Sequence, residues 1–533
     1  MDTDVLIIGA GPVGLTLAVD LGRRGVRCTL VEQKSAPHLW PKMERCNARS
    51  MEIYRRLGLA ERIRAAGLPA WVPMDVFLVL SLAEPPLLHL PYPSVEQAKK
   101  EIAACRDGSL PLEPYQLISQ YTLEPLLKSV AETLPSVTVR YGCEFMSLRQ
   151  DAEKVTAEVS EGGETSTITA KFLVGCDGGT STVRKQLGFS LEGEGNILQL
   201  RQALFYCEDL FERISIGKGR HYHVIDNQAT QIIVQDSTRH FTLHSVVEKD
   251  EDMAAKFEQT VAMPVKYEML YVGEWRQNLL VAERFMDRRV LLAGDAVHLM
   301  IPTGGLGMNT GVGDAIDLGW KLAGTLQGWG GPGLLASYEA ERHPTGTRNV
   351  GASRFASLGR RKWRSQWKPN IRDATPEGAA ARAHLVSVAN VEQRKTNEMT
   401  GAEFGYHYAG SPLIAHEPGE PPYDYIEYRP STFPGVRLPH AWLDDGRAAQ
   451  DCIGDGYTLL RLGYSNADMS ALKRAFNGLG APFTVLDLTG AAARDVYGTD
   501  LILVRPDLHV VWRGNAPPDN PAALAALATG HTS

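Results

Sequence analysis

The chain has 533 residues, of which 44% are apolar and 22% charged, and its 55 basic against 62 acidic residues leave a formal net charge of −7. That composition excludes wholesale disorder and collagen-like repeats, and a mildly acidic chain is a poor nucleic-acid binder. The length predicts about three domains.

Residues 5–8 form a β-branched run ending in Gly9-Ala10-Gly11-Pro12-Val13-Gly14, residues 15–25 read as a helix, and 28–31 as a second strand closed by Glu32. Gly9 permits a tight turn, Gly11 admits a pyrophosphate to the backbone, and Gly14 lets helix and strand pack closely. The helix N-terminus offers free N–H groups and partial positive charge to that phosphate. Glu32, about 20 residues on, can accept from ribose hydroxyls. Asp2 and Asp4 stand where a basic signal segment would begin, and the apolar runs at 5–8 and 76–82 are far short of a membrane span, so a cytoplasmic chain is expected.

Helices at 50–57 and 121–133 and strands at 137–140, 155–159 and 167–174 follow, the last leading into Gly175-Cys176-Asp177-Gly178. Strand-like pieces at 222–225, 231–235 and 241–247 predict an antiparallel sheet inserted into the nucleotide-binding unit. Strand 290–293 must then return to the first sheet. It opens Gly294-Asp295-Ala296-x-His298-x-x-x-Pro302-x-Gly304-Gly305-x-Gly307-Met308-Asn309. Asp295 can accept from a ribityl or ribose hydroxyl. Gly304, Gly305 and Gly307 leave room for a flat ring, toward which the helix at 308–326 aims its positive end, favouring an anionic reduced flavin. Helical stretches run from Pro344 to about 400, and 417–422 reads as a linker. The tail reads as βαβ-like, with strands at 457–462, 483–488, 501–504 and 509–512 and a helix at 469–476. Seven dispersed cysteines form no CxxC pair, so neither a disulfide framework nor a zinc site is expected.

Joined by Asp177-Gly178-Gly179-x-Ser181-x-Val183-Arg184, these motifs resemble the single-component (class A) FAD-dependent aromatic hydroxylases. The tail, with Arg437-Leu438-Pro439-His440 and Arg505-Pro506-Asp507-x-His509, looks like the thioredoxin-like domain of the phenol and chlorophenol hydroxylase branch, which includes aromatic polyketide hydroxylases. The resemblance implies an α/β protein with a Rossmann-like FAD-binding domain (1–190, and 281–400 with its helices). It also implies an inserted antiparallel-sheet substrate domain (191–280 with parts of 70–115) and a thioredoxin-like domain at 425–533. Cys452 stands alone there, so that domain is read as structural.

The implied cofactors are FAD and NADH or NADPH. The implied partners are O2 and a phenolic aromatic substrate, with no metal, nucleic acid or membrane, in a homodimer. The residues implied to bind the cofactor are Gly9, Gly11, Pro12, Val13, Gly14, Glu32, Gln33, Arg45, Gln120, Asp177, Gly178, Asp295, Pro302, Gly305, Gly307, Met308 and Asn309. Asn47-Ala48-Arg49-Ser50-Met51-Glu52 matches a further family segment. Lys42 stands where the family commonly has arginine, and lysine cannot make a bidentate contact.

In the chemistry so implied, NAD(P)H reduces the flavin, O2 adds at C4a, and the hydroperoxide passes an oxygen to an electron-rich ring beside Pro302. The protein must exclude water and favour phenolate over phenol. Candidates for taking the phenol proton are His221, Tyr222, His223, Gln235 and His244, with His221 and His223 on one strand face by parity. His298 reads as a loop-bonding residue. Hydroxylation or Baeyer–Villiger ring opening of a polycyclic polyketide is the alternative, and a non-catalytic flavin-binding interaction protein is a third reading.

Overall fold

The computed structural model describes every residue except 38–40, 464, 466, 489, 490 and 533. β1 (Thr3–Ile8) is buried almost throughout, as a parallel strand covered on both faces must be. Gly9 follows at φ +104°, and an added Cβ would lie 2.5 Å from the Cys176 carbonyl oxygen. α1 (Pro12–Arg23) begins with a proline, whose fixed φ and missing N–H suit a first turn. β2 (Cys28–Glu32) pairs parallel with β1. α2 (Ala48–Arg56) is capped by Asn47, whose side chain accepts from the Ser50 N–H at 2.9 Å. β3 (Val76–Val79) belongs to a second sheet. α3 (Gln120–Ala131) packs on α1. β4 (Val137–Tyr141) pairs parallel with β2, and β5 (Glu164–Gly175) pairs parallel with the other side of β1.

The second sheet takes β6 (Leu191–Tyr206), β7 (His221–Val224), β8 (Gln231–Val234), β9 (His240–Ser245) and β10 (Glu268–Ala282), in the spatial order β10-β6-β9-β8-β7-β3. It differs from the expected antiparallel sheet in one pairing, because β7 runs parallel to β3. Two of its adjacent strands are also long, 16 residues in β6 and 15 in β10. The first half of β6 is exposed and rich in Gly and Glu, with a register shift between Glu194 and Leu198, so no apolar alternation marks it.

β11 (Val290–Leu292) returns to the first sheet and pairs parallel with β5, as the strand pattern required. α4 (Gly307–Gln327) and α5 (Pro332–Arg364) follow. The helical signal was expected to start at Pro344, yet α5 runs through that proline. A mid-helix proline loses a backbone hydrogen bond. Here the helix is held by its buried face against α4 and β10.

β12 (Tyr457–Leu462), β13 (Phe483–Leu488), β14 (Leu501–Val504) and β15 (Val510–Gly514) form a four-stranded sheet ordered β13-β12-β14-β15. β12 and β13 are its parallel pair. This is the expected thioredoxin-like sheet, and Cys452, like the other six cysteines, is free. The tail is sequential in the chain but not separate in its core. Trp320 of α4, Trp329 and Leu334 share one apolar cluster with Tyr457, Phe476 and Phe483.

A buried ionic knot joins the same surfaces. Arg505 donates to Glu341 at 2.6 Å, to Asp317 at 3.0 Å and to Asp507 at 2.8 Å. Lys321 donates to Asp317 and Glu341, each at 2.7 Å. Farther along the interface Arg437 pairs with Glu52 at 3.1 Å, and Arg49 donates to the Asp507 carbonyl at 3.3 Å. Removing one partner of such a buried network leaves uncompensated charge. Arg505→Ala is therefore expected to cost about 3–5 kcal/mol, read as a lower denaturant midpoint in tryptophan fluorescence.

Candidate active site

A cavity of about 940 Å³ lies between the two sheets, and the N-terminal turns of α1 and α4 both open onto it. At the α1 end, a Cβ added to Gly11 would meet nothing nearer than the Glu124 Oε1 at 4.0 Å, so the backbone is open to a ligand. Gly14 lies behind the wall. Its Cβ would fall 2.1 Å from the Gly9 carbonyl oxygen, so it sets the close packing of α1 on β1 that the spacing predicted. Pro12, Val13 and Gln33 line the cavity. Glu32 is fixed there by accepting the Ala10 N–H at 2.9 Å and the Lys34 N–H at 3.0 Å.

Farther in, Asp177 and Gly178 line the wall. Asp177 Oδ2 accepts the Val183 N–H at 3.0 Å, while its buried Oδ1 has no partner among the described residues. Gln120 donates to Glu124 at 2.7 Å. Arg45 is buried against the Gly304 carbonyl and Glu403, and its Nε has no partner. Asn309 accepts the Asn47 N–H at 2.9 Å and donates to the Gly305 carbonyl at 2.6 Å, clasping α4 to the loop before α2.

The loop from Gly294 to Gly307 is held from behind by Asp314 of α4. Its Oδ2 accepts from the Gly294 N–H at 3.0 Å and from His298 Nε2 at 2.7 Å, and its Oδ1 from Arg342 Nε at 2.7 Å. Burial would raise this carboxyl, but Arg342 and His298 outweigh it and hold it at about 2. His298 is thus the loop-bonding residue the sequence suggested. Asp295 keeps its surface open to the cavity while the enclosing protein raises its carboxyl above the usual range. Pro302 faces the cavity, and its carbonyl accepts the Gly305 N–H at 2.8 Å.

One sequence expectation changes here. Cβ atoms at Gly304 and Gly305 would strike Met399 Sδ at 2.7 Å and Arg45 Nε at 2.5 Å, so these glycines make room for protein side chains rather than for a ring. Gly307 alone of the three presents open backbone, its nearest neighbour being Met300 Cβ at 3.9 Å. Open backbone at Gly11 and Gly307, the free Asp177 oxygen and two helix N-termini on one cavity match a dinucleotide with a flat ring. These residues fit FAD.

Residues 2–353 match the FAD binding domain family, and residues 431–530 match the aromatic-ring hydroxylase C-terminal family. The chain belongs to the FAD-dependent aromatic-ring hydroxylases. It is 32% identical to the FAD-dependent monooxygenase apdD of Emericella nidulans, over 96% of this chain and 87% of that protein. It is 28% identical to phenol 2-monooxygenase of a Pseudomonas species, over 97% of this chain and 90% of that one. The structure of the rebeccamycin biosynthetic enzyme RebC with reduced flavin superposes with a TM-score of 0.90 at 32% identity, covering 99% of each chain.

In this hydroxylase the second sheet forms the opposite wall of the cavity, with Gln202, His221, Gln231, Ile233, Gln235, His244 and Trp275. Of the proton-accepting candidates, His221, Gln235 and His244 line it, and Tyr222 and His223 do not. Tyr222 points to the other strand face, donating to the Gly217 carbonyl at 2.9 Å and stacking on Phe77 at 5.2 Å. His223 shares the His221 parity but lies one residue pair farther along β7. There Gln393 donates to its Nε2 at 3.2 Å, and its ring lies 6.1 Å from Trp363. Burial and neighbouring arginines keep His223 neutral, with its pKa well below the usual imidazole value. Gln235 is spent on Ser119 at 2.8 Å and Thr242 at 2.6 Å.

His221 Nε2 is 2.7 Å from Glu44 Oε2, and its buried Nδ1 has no partner among the described residues. Glu44, which sequence reading missed, lines the cavity beside it. It carries no motif, because the pairing links residues 177 positions apart. Arg360, Arg361 and Arg364 were also passed over, though Arg-Arg-Lys-Trp-Arg at i, i+1 and i+4 was a visible basic stripe. Among the described residues no helix is long and apolar enough to cross a membrane.

The glycine geometry separates two variants. Gly11→Val is expected to fold with an unchanged melting temperature but to lose FAD affinity by more than about 100-fold, by analogy with a lost phosphate-binding backbone. Gly14→Val is expected to lower the melting temperature itself. Retained flavin content and thermal melts of both variants provide the check.

Proposed function

We propose that this hydroxylase inserts one atom of O2 into a phenolic aromatic ring, with NAD(P)H as electron donor, and that His221 takes the phenol proton. Overall, the phenol, O2, NAD(P)H and a proton become the dihydroxylated ring, NAD(P)+ and water. Bound FAD supplies the two-electron redox and oxygen-activating chemistry. The protein's own part is positional and protic. Residues 1–190 and 281–400 hold the dinucleotide, with Gly9–Gly14 at the pyrophosphate, Glu32 and Gln33 toward the adenosine, and Arg45, Gln120, Asp177, Gly178 and Asp295 along the ribityl side. Pro302, Gly307, Met308 and Asn309 would frame the ring, with Gly305 seating Arg45 behind them. The sheet of 191–280, with strands from 70–115, presents the substrate. The domain at 425–533 braces α4 and α5, in a cytoplasmic homodimer.

The observation that carries the proton role is the His221–Glu44 pair on the cavity wall. Nε2–H donates a hydrogen bond to the Glu44 carboxylate, which leaves Nδ1 as the acceptor. Burial lowers the His221 pKa below the ordinary value even against the pull of Glu44, so the imidazole is neutral at pH 7 and free to accept a proton. The Glu44 carboxylate stabilises the cation formed when the phenol proton arrives. Oxygen transfer should therefore be flat through neutral pH and fall on acidification through that lowered value.

For a weakly acidic phenol, His221→Gln is expected to slow oxygen transfer about 10²–10³-fold. A nitrophenol already ionised at pH 7 should lose far less. Single-turnover rates against substrate pKa, with 18O2 incorporation as the product assay, make the measurement. Equal losses for both phenols would overturn the role of His221, and no 18O in any ring product would overturn the reading as a whole.

A further inference from the structure

The α5 wall of the cavity carries charge that the oxygenation chemistry does not use. Arg360 and Arg364 sit one turn apart on α5 and both line the cavity. Among the described residues neither pairs with a carboxylate. Arg360 donates to Gln231 Oε1 at 3.2 Å, Arg364 donates to the Thr230 carbonyl at 3.1 Å, and the buried Nε of each has no partner. Both side chains are part-buried, with only the Nε atoms fully enclosed, and a guanidinium partly withdrawn from water without a counter-charge favours an anion beside it. The neighbouring carboxylates are already engaged, Glu44 with His221 at 2.7 Å and Asp226 with Lys256 at 2.8 Å.

Arg360 also sets the next two groups. An arginine can only donate, so Gln231 must turn its oxygen toward Arg360 and its NH2 toward His244 Nδ1, 3.0 Å away. His244 Nδ1 is thereby an acceptor, and its hydrogen resides on Nε2, which is buried without a partner. His244 is 9% exposed and lines the cavity, so this wall offers a neutral N–H donor beside two cations.

The position excludes the dinucleotide phosphates. Ser353 of α5 donates to the Ile301 carbonyl at 2.6 Å, which anchors the helix beside Pro302. Arg360 lies two turns beyond, roughly 10 Å along the axis at 1.5 Å per residue, on the side of the substrate sheet.

We infer that this end of the cavity is a carboxylate subsite, and that the aromatic substrate carries an acid group received by Arg360, Arg364 and the His244 N–H. The inference rests on the hydroxylase reading above and narrows its substrate to hydroxyaryl acids.

The test titrates the FAD-loaded protein with matched hydroxynaphthoic acids and their methyl esters, reading Kd from the flavin absorption change. The acid should bind at least about tenfold tighter, the worth of one charge-assisted hydrogen bond. Arg360→Gln should collapse the acid-over-ester ratio toward unity, and Arg360→Lys should keep part of it. The wild-type ratio tests the idea even if a variant fails to fold. Equal binding of acid and ester by the wild type would overturn the subsite, as would a variant whose only change is a raised KM for NAD(P)H. Acids that bind tightly without stimulating NAD(P)H oxidation or accepting 18O would instead overturn the hydroxylase reading and leave the subsite standing. Esters hydroxylated as well as the acids would do the reverse.

Discussion

One buried carboxylate determines whether the ring end of this site exists. Asp314 receives the Gly294 N–H, His298 and Arg342 at once, and with them it joins the loop after β11, the start of α4 and the middle of α5. The loop it holds is rich in glycine and would otherwise carry high conformational entropy. Asp314 stays charged in the interior because three donors surround it, not because it is solvated. Pro302 and the first turn of α4 face the cavity because of that hub.

The C-terminal domain supports the same helices from the other side. Arg505 reaches Asp317 on α4 and Glu341 on α5, three residues along from Asp314 and one residue before Arg342. The two ionic centres therefore grip the same two helices, one toward the cofactor and one toward the tail. The contacts this domain makes with α4 and α5 are apolar packing and buried charge.

The cavity divides by charge and by element. Its α1 end offers backbone N–H groups and acidic acceptors at Glu32 and Asp177, the pattern of a phosphate and sugar site. Its far wall offers His221, His244 and arginines from β7, β9 and α5. The inserted sheet and the long helix meet there, so substrate recognition is set where two parts of the chain distant in sequence converge.

Much of this was legible in the chain itself. Gly9, Gly11, Gly14 and Glu32 sit at fixed spacing within one strand–turn–helix–strand unit, so local geometry alone implies a dinucleotide site. The return of strand 290–293 was legible for the same reason, since its glycine loop must open from the sheet already begun. Other features left no local trace. The exposed first half of β6, with its glycines, hides the strand period there, and the interior Pro344 hides the continuity of α5. The roles of His221 and His223, equal by parity, diverge only because Glu44 and Gln393 are brought to them from 177 and 170 residues away. The sequence by itself determined a dinucleotide site, because that depends on short-range backbone shape, and its motifs carried the resemblance that implied FAD and the class of chemistry. Tertiary structure alone decided which histidines face the cavity and, among the described residues, which arginines lack a counter-ion, because burial and pairing are set by residues that meet only in the folded chain.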